Sequence, residues 1–315
     1  MLGHLLAALN TVLPMFLVVG LGFLAKQRGW VTPPALRQFN LLGFRLFLPC
    51  YLFRAIYESE WGERVDTRLA LATVTALLVV LALAFAAVLA VEKRRNYRGV
   101  MIQSIYQSNF IVMGLPLITA VFGNADASYV PLVIAIVIPM FNVLAVVVLE
   151  IFRGEKSGFR GTLVQIFKNP LVVGALAALA CKLLRVPLDR FPPLMSAVSA
   201  LAQASTPLLL FILGASFDFA SLRGDRFQIT FTAVARLVAA PLAALAVGRA
   251  FALPAEQLAV LMSAFISPTG SAVFPMAQQM GGNERLAAGT ILFTTACSFV
   301  TMSLWIAFLR SLVLG

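Results

Sequence analysis

Carboxylates are scarce in this chain, and histidine is nearly missing. Thirteen Asp and Glu stand against twenty-four Lys and Arg in 315 residues, and His4 is the single histidine. One terminal histidine excludes Ser-His-Asp triads and H-E-x-x-H zinc sites. All thirteen acids fall in loops or near the ends of apolar stretches, with Glu150 and Asp218 the deepest. No stretch therefore offers the central acid pair of an aspartyl intramembrane protease, or the central carboxylate expected of a proton-coupled carrier. There is no G-x-S-x-G elbow and no P-loop lysine motif, so neither an enzyme nor a nucleotide-driven pump is expected. Cys50, Cys181 and Cys297 are odd in number and lie within apolar stretches, which implies no disulfide framework. No metal and no resident cofactor is implied, while a coupling ion, sodium or proton, stays open.

What is present is hydrocarbon. Hydrophobic residues make up 61% of the chain and charged residues 12%, against about 25% charged in soluble domains. Ten apolar stretches, near 5–25, 36–57, 69–91, 99–122, 127–152, 162–184, 194–219, 228–252, 256–280 and 286–313, can each cross about 30 Å of bilayer. Long Leu/Val/Ala runs with little period-2 alternation predict helices rather than a barrel. The first stretch lacks a basic n-region and an A-x-A cleavage site, so it reads as a span and not a signal peptide. Loops after spans 1, 3, 5, 7 and 9 hold fourteen Lys and Arg, and the opposite loops hold eight. That bias predicts an inner-membrane protein with both termini on the non-cytoplasmic side. The net charge of +11 then faces anionic lipid rather than nucleic acid.

Prolines recur at half the chain length. Pro33-Pro34 returns as Pro192-Pro193, Pro116 as Pro275 and Ser108 as Ser267, all at an offset of 159. Pro49 and Pro207 are 158 apart, and Pro14 and Pro170 are 156 apart. Each proline fixes φ and removes a helical hydrogen bond, so shared prolines are shared kinks. Five spans per half is an odd number, and two copies of an odd-span unit must lie inverted in the bilayer. The predicted units are residues 1–152 and 169–315, joined by a cytoplasmic linker at 153–168.

Two spans are interrupted. Span 4 reads QSNFIVMGLPL (107–117) and span 9 reads SPTGSAVFPMA (267–277). Gly114-Leu115-Pro116 should end one helix and start another, and Pro268-Thr269-Gly270 with Pro275 should do the same. In inverted copies these spans run antiparallel and can cross where both are unwound. Freed N–H groups at half-helix N-termini suit an anion, and freed carbonyls suit a cation. Ser108, Asn109, Thr269 and Ser271 would add side-chain donors and acceptors, with Gly114, Pro116, Gly270 and Pro275 shaping the break. The simpler reading is that Pro and Gly merely kink two helices. Asn142 in span 5 is a further site residue, or a helix–helix hydrogen bond. Arg45, mid-span in span 2 opposite Gln203 of the other copy, could clamp a carboxylate bidentately. Arg236, about a third of the way into span 8, could do the same. The alternative for both is a structural pair with Glu150 or Asp218, or snorkelling, and it is favoured for Arg236, which is nearer the cytoplasmic edge.

FNLLGFRLFLPCYLFRAI (39–56), SNFIVMGLPL (108–117), KNPLVVGALAALACKLL (168–184) and the closing stretch from FISPTGSAVFPMAQQMGG (265–282) to Trp305 resemble the auxin efflux carrier family over nearly the whole chain. That family includes plant auxin exporters and bacterial carriers linked to malonate or malate. The resemblance implies a ten-helix fold of two inverted five-helix repeats, like the sodium/proton antiporters and bile-acid carriers, with broken helices 4 and 9 crossing. It also implies a scaffold domain from spans 1, 2, 6 and 7 and a transport domain, from spans 3–5 and 8–10, that moves against it like an elevator. The family's asparagine ahead of the span-4 proline maps to Asn109, and its crossover prolines map to Pro116 and Pro275. Span 9 departs from the pattern at Pro268-Thr269-Gly270.

The expected function is transport of a small organic anion, a mono- or dicarboxylate, as a secondary active carrier or uniporter. The resemblance leaves room for a homodimer through the scaffold. Rival readings are a sodium-coupled bile-acid-type carrier of the same fold, a channel, or a membrane sensor. A sensor should append a signalling domain, whereas the sequence stops at Gly315, just after span 10.

Overall fold

The computed structural model describes residues 2–58, 66–110, 113, 129–153, 164, 166–216 and 224–314. Its regular elements are helices; among the described residues the only extended pairing is an isolated antiparallel bridge between Ser108 and Thr269. In chain order the helices are α1 (Leu2–Gln27), α2 (Pro33–Leu42), α3 (Leu48–Tyr57), α4 (Thr67–Val91), α5 (Arg95–Tyr106), α6 (Val130–Phe152) and α7 (Pro170–Leu183). There follow α8 (Pro192–Ser216), α9 (Arg226–Val234), α10 (Ala240–Ala250), α11 (Ala255–Ile266), α12 (Val273–Gln279) and α13 (Glu284–Leu314). Six continuous helical segments among the described residues are long and apolar enough to cross a membrane: Pro33–Tyr57, Thr67–Val91, Val130–Phe152, Pro192–Ser216, Arg226–Ala250 and Glu284–Leu309.

Two of those segments are continuous only through a wide turn. π-helical turns at Gly43–Phe47 and Ala235–Ala239 join α2 to α3 and α9 to α10. Each precedes a proline at the second position of the next helix, Pro49 and Pro241. A proline inside a helix cannot bond the carbonyl four residues back and its ring presses against it, so the helix widens locally. For Pro241 that carbonyl belongs to Leu237, and it accepts instead from the Trp305 indole N–H at 3.1 Å. The displaced bond is thus replaced, and the turn holds Arg236 in place.

Packing divides into two groups of helices. In the first, α1 lies along α8 and α3 lies along α7, with α3 also against α8. Lipid supplies little driving force between helices, so close backbone approach has to do so. A Cβ on Gly22 would sit 2.1 Å from the Phe211 carbonyl oxygen, and one on Gly214 would sit 1.9 Å from that of Val19. Gly174 faces Pro49 with the same economy: a Cβ on it would sit 3.0 Å from the Pro49 carbonyl oxygen. The second group holds α4, α5, α6 and α9–α13, where α5 packs on α4 and α6, and α10 on α4 and α11.

One end of the second group is tied by polar contacts. Tyr97 donates to Asp225 at 2.9 Å, Gln228 donates to Glu92 at 2.9 Å, and the Asn283 N–H reaches the Asn96 carbonyl at 3.0 Å. Arg94 holds the Glu92 carboxylate through Nε and Nη2, at 3.0 and 2.8 Å. These bonds hold the Glu92 carboxyl down at about 2.

Two outcomes follow from this packing. Gly214→Ala should lower the unfolding temperature in detergent by the equivalent of about 1–3 kcal/mol, as overpacking does, whereas Gly20→Ala, with open space around its Cβ, should leave it unchanged. Glu92 binds its proton more weakly folded than unfolded, so its contribution is complete above the ordinary carboxylate value and fades as pH falls toward about 2. The gap in unfolding temperature between wild type and Glu92→Gln should therefore stay constant from pH 7 to about 5 and shrink below that.

Candidate functional site: the crossing of two chain breaks

Helix α5 stops at Tyr106, where Gln107 turns extended (φ −84°, ψ 111°), and α11 stops at Ile266, where Ser267 turns extended (φ −74°, ψ 150°). Ser267 precedes Pro268, and a residue before proline is pushed out of the helical region. Gln107 has no such neighbour; tertiary bonds take the helix's place there. The two extended stretches lie antiparallel. The Asn109 N–H donates to the Pro268 carbonyl at 2.9 Å, and the Gly270 N–H donates to the Gln107 carbonyl at 3.0 Å. Gly270 permits this approach, since a Cβ there would lie 3.0 Å from the Ser108 carbonyl oxygen.

Each helix end leaves carbonyls without helical partners, and in a dry interior each one needs a donor. At the end of α5, the Ser104 carbonyl accepts from the Thr269 hydroxyl at 3.0 Å. The Ile105 and Tyr106 carbonyls accept from Arg236 Nη1 at 2.9 and 3.1 Å. At the end of α11, the Ser263 carbonyl takes the Ser267 hydroxyl at 3.2 Å, and the Ala264 carbonyl takes the Ser108 hydroxyl at 2.6 Å. Arg236 Nη2 adds bonds to Ala264 and Phe265, at 3.3 and 2.9 Å, and Nε donates to Ser267 at 2.9 Å. The guanidinium of Arg236 is fully buried and joins both broken ends.

On the other side of the crossing lies a chamber of about 50 Å³. Its polar lining comes from Gln107, Ser108, Asn109, Asn142, Ser205, Thr206, Ser271 and Tyr51, closed by apolar Leu48, Phe110, Phe141 and Leu209. Gln103 donates to Gln107 at 2.8 Å, Gln107 faces Asn142 Oδ1 at 3.5 Å, and Asn142 donates to the Ile138 carbonyl at 2.8 Å. These amides form a chain of contacts beside the chamber, and among the described residues its lining contains no carboxylate.

The sequence pattern of the membrane transport protein family matches residues 7–306. This chain belongs to that family, the auxin efflux carriers. The carrier is 27% identical, over 95% of both chains, to a Rhizobium meliloti (strain 1021) protein named "Putative malonate transporter". It is 23% identical, over 95% of its own length and 96% of the other's, to "Uncharacterized transporter YfdV" of Escherichia coli K12, and equally to the Shigella flexneri protein of that name.

Of the residues singled out from the carrier's sequence, Ser108, Asn109, Asn142, Gly270 and Ser271 meet at the chamber. Thr269 lies behind it, bonded to Ser104, and Pro275 is buried in the first turn of α12. Gly114 and Pro116 lie outside the described residues. Arg45 is not part of the group. Its side chain is exposed on the outer face of the first π-helical turn, as Gln203 is on α8. Depth along a helix says nothing about which face a residue occupies, and here the face points away. The break in span 4 also begins at Gln107, well ahead of the expected Gly114-Leu115-Pro116. Of the two carboxylates expected to pair with Arg236, Glu150 pairs instead with Arg153 at 3.4 Å and Asp218 lies outside the described residues; the guanidinium bonds backbone carbonyls. Sequence reasoning passed over Tyr51, Gln107, Ser205 and Thr206. For Arg236 the available signal was a lone arginine in an apolar run, five residues before Pro241.

Gly270→Ala should force the two extended stretches apart by a few tenths of an ångström and lower thermal stability by the equivalent of about 1–3 kcal/mol. Gly224→Ala, which meets nothing within 4 Å, is the control in the same unfolding assay.

Proposed function

We propose that this chain is a secondary carrier or uniporter of small organic anions, mono- or dicarboxylates of malonate size, working by alternating access at the chamber beside the crossing. The observation that carries the reading is a chamber walled, among the described residues, by amide and hydroxyl groups and no carboxylate, beside a crossing that holds a buried arginine. Amide and hydroxyl donors satisfy carboxylate oxygens, and the absence of lining acids avoids like-charge repulsion. Size supports a small substrate too. About 50 Å³ is far below the roughly 300–1,000 Å³ of pockets for drug-sized ligands, which disfavours a steroid anion. The name of the Rhizobium meliloti relative accords with this choice.

The same reading takes the chain as ten spans in two inverted five-helix repeats, residues 1–152 and 169–315 around a cytoplasmic linker. Two features support it: α1 packs on α8 as α7 packs on α3, and the two chain breaks run antiparallel. The group of α1–α3, α7 and α8 then serves as scaffold and the other group as the moving body. Tyr51, Ser205 and Thr206 come from the first and the remaining polar lining from the second. A ligand bridging both bodies is what elevator-type motion requires. In this reading the protein lies in the inner membrane, and the positive-inside rule puts both termini outward.

The test is uptake of radiolabelled malonate into proteoliposomes. Saturable uptake is expected, with Asn109→Ala and Asn142→Ala each reducing it about 10-fold or more, the loss typical of a hydrogen bond to a charged group, at unchanged unfolding temperature. Flux that rises linearly with concentration would make the protein a channel. Full uptake by both variants would remove the chamber from the pathway.

A further inference from the structure

Arg236 uses every donor it has. A guanidinium carries five N–H groups, and here each meets one backbone carbonyl: Ile105, Tyr106, Ala264, Phe265 and Ser267, at 2.9–3.3 Å. The side chain is 0% exposed and forms no ion pair among the described residues. Five converging carbonyl oxygens at two helix C-termini, where the helix dipoles are negative, make a cation cage. Sodium in membrane carriers binds the same kind of group, backbone carbonyls where helices are unwound. In this chain the charge is covalently attached, and it arrives from α9–α10 through the turn that Pro241 imposes.

We propose that Arg236 is a tethered cation filling this carbonyl cage, so that the crossing takes no free metal ion there, and that removing the side chain opens a site for a monovalent cation. Arg236 is a positioning residue: it is absent from the chamber lining and acts through the two chain ends that it joins. The cage stands apart from the substrate reading; only its consequence, transport without sodium coupling at this site, rests on it.

Thermal unfolding of the purified full chain decides the matter without a substrate. The wild type should melt at the same temperature in 100 mM sodium chloride and 100 mM choline chloride. A sodium-induced rise of about 5 °C or more, as expected for ligand at about 100 times its dissociation constant, would reveal a native free-cation site and overturn the proposal. Arg236→Ala should melt well below wild type in choline and recover at least half the loss when sodium chloride, or 20 mM guanidinium chloride, is added. Guanidinium at that level costs well under about 0.2 kcal/mol as a denaturant. Arg236→Lys, whose ammonium is compact, should lie between the two in choline. If Arg236→Ala cannot be purified in choline, recovery only in sodium or guanidinium supports the cage, and failure in all three salts overturns it. Malonate uptake by wild-type proteoliposomes should agree within 2-fold in sodium and choline, and a 10-fold sodium stimulation would sink the transport consequence. No uptake in either medium would remove malonate as substrate and leave the melting result to stand.

Discussion

The crossing depends on one guanidinium. Two helices that stop within the protein leave carbonyls that neither water nor lipid can satisfy, and Arg236 satisfies five of them at once. A neutral amide could reach two. A lysine has three donors on a point charge and lacks the planar fork that spreads across both ends. Burying the charge is costly, and it is tolerable here because the carbonyl dipoles converge on it. The Ser267 and Thr269 hydroxyls satisfy the Ser263 and Ser104 carbonyls, which Arg236 does not reach, and the Ser108 hydroxyl shares the Ala264 carbonyl with it. Remove the arginine, and the breaks at Gln107 and Ser267 keep only their two backbone bonds and the Ser108 and Thr269 hydroxyls to join them.

That arrangement separates two jobs. Behind the crossing, charge and carbonyls hold the backbone. In front of it, Gln107, Asn109, Asn142 and Ser271 present uncharged polar groups to the chamber. In the proposed reading, the positive charge at the crossing favours an anion in the chamber without gripping it, and an ion held by a direct bidentate clamp would be slow to leave.

Length and hydropathy made the membrane class and most spans legible, since an uninterrupted apolar run has few other uses. The Ser267-Pro268 break was legible for a local reason, the steric effect of proline on its predecessor. The break at Gln107 was not, because its cause is tertiary: hydroxyls and a guanidinium from residues more than a hundred positions away. Arg45 and Arg236 show the same limit. Both are arginines within apolar runs, and a linear reading ranks them by depth. The structure ranks them by face and by reach, which depend on a π-helical turn and on neighbours that no local pattern contains. Asn109 and Asn142 were easier to pick out, since an amide in such a run has few other reasons to be there.

The contact of Gly22 and Gly214 with facing carbonyls has its own meaning for motion. An interface made of side chains can slip, because rotamers change and partners are exchanged. An interface of bare backbone has nothing to rearrange: the helices either touch or part. In the proposed cycle α1 and α8 would therefore act as a single beam, and flexing would fall on borders rich in polar side chains. Tyr51, Ser205 and Thr206 lie on such a border, and so does Gln278, bonded to both Asn40 and Glu284.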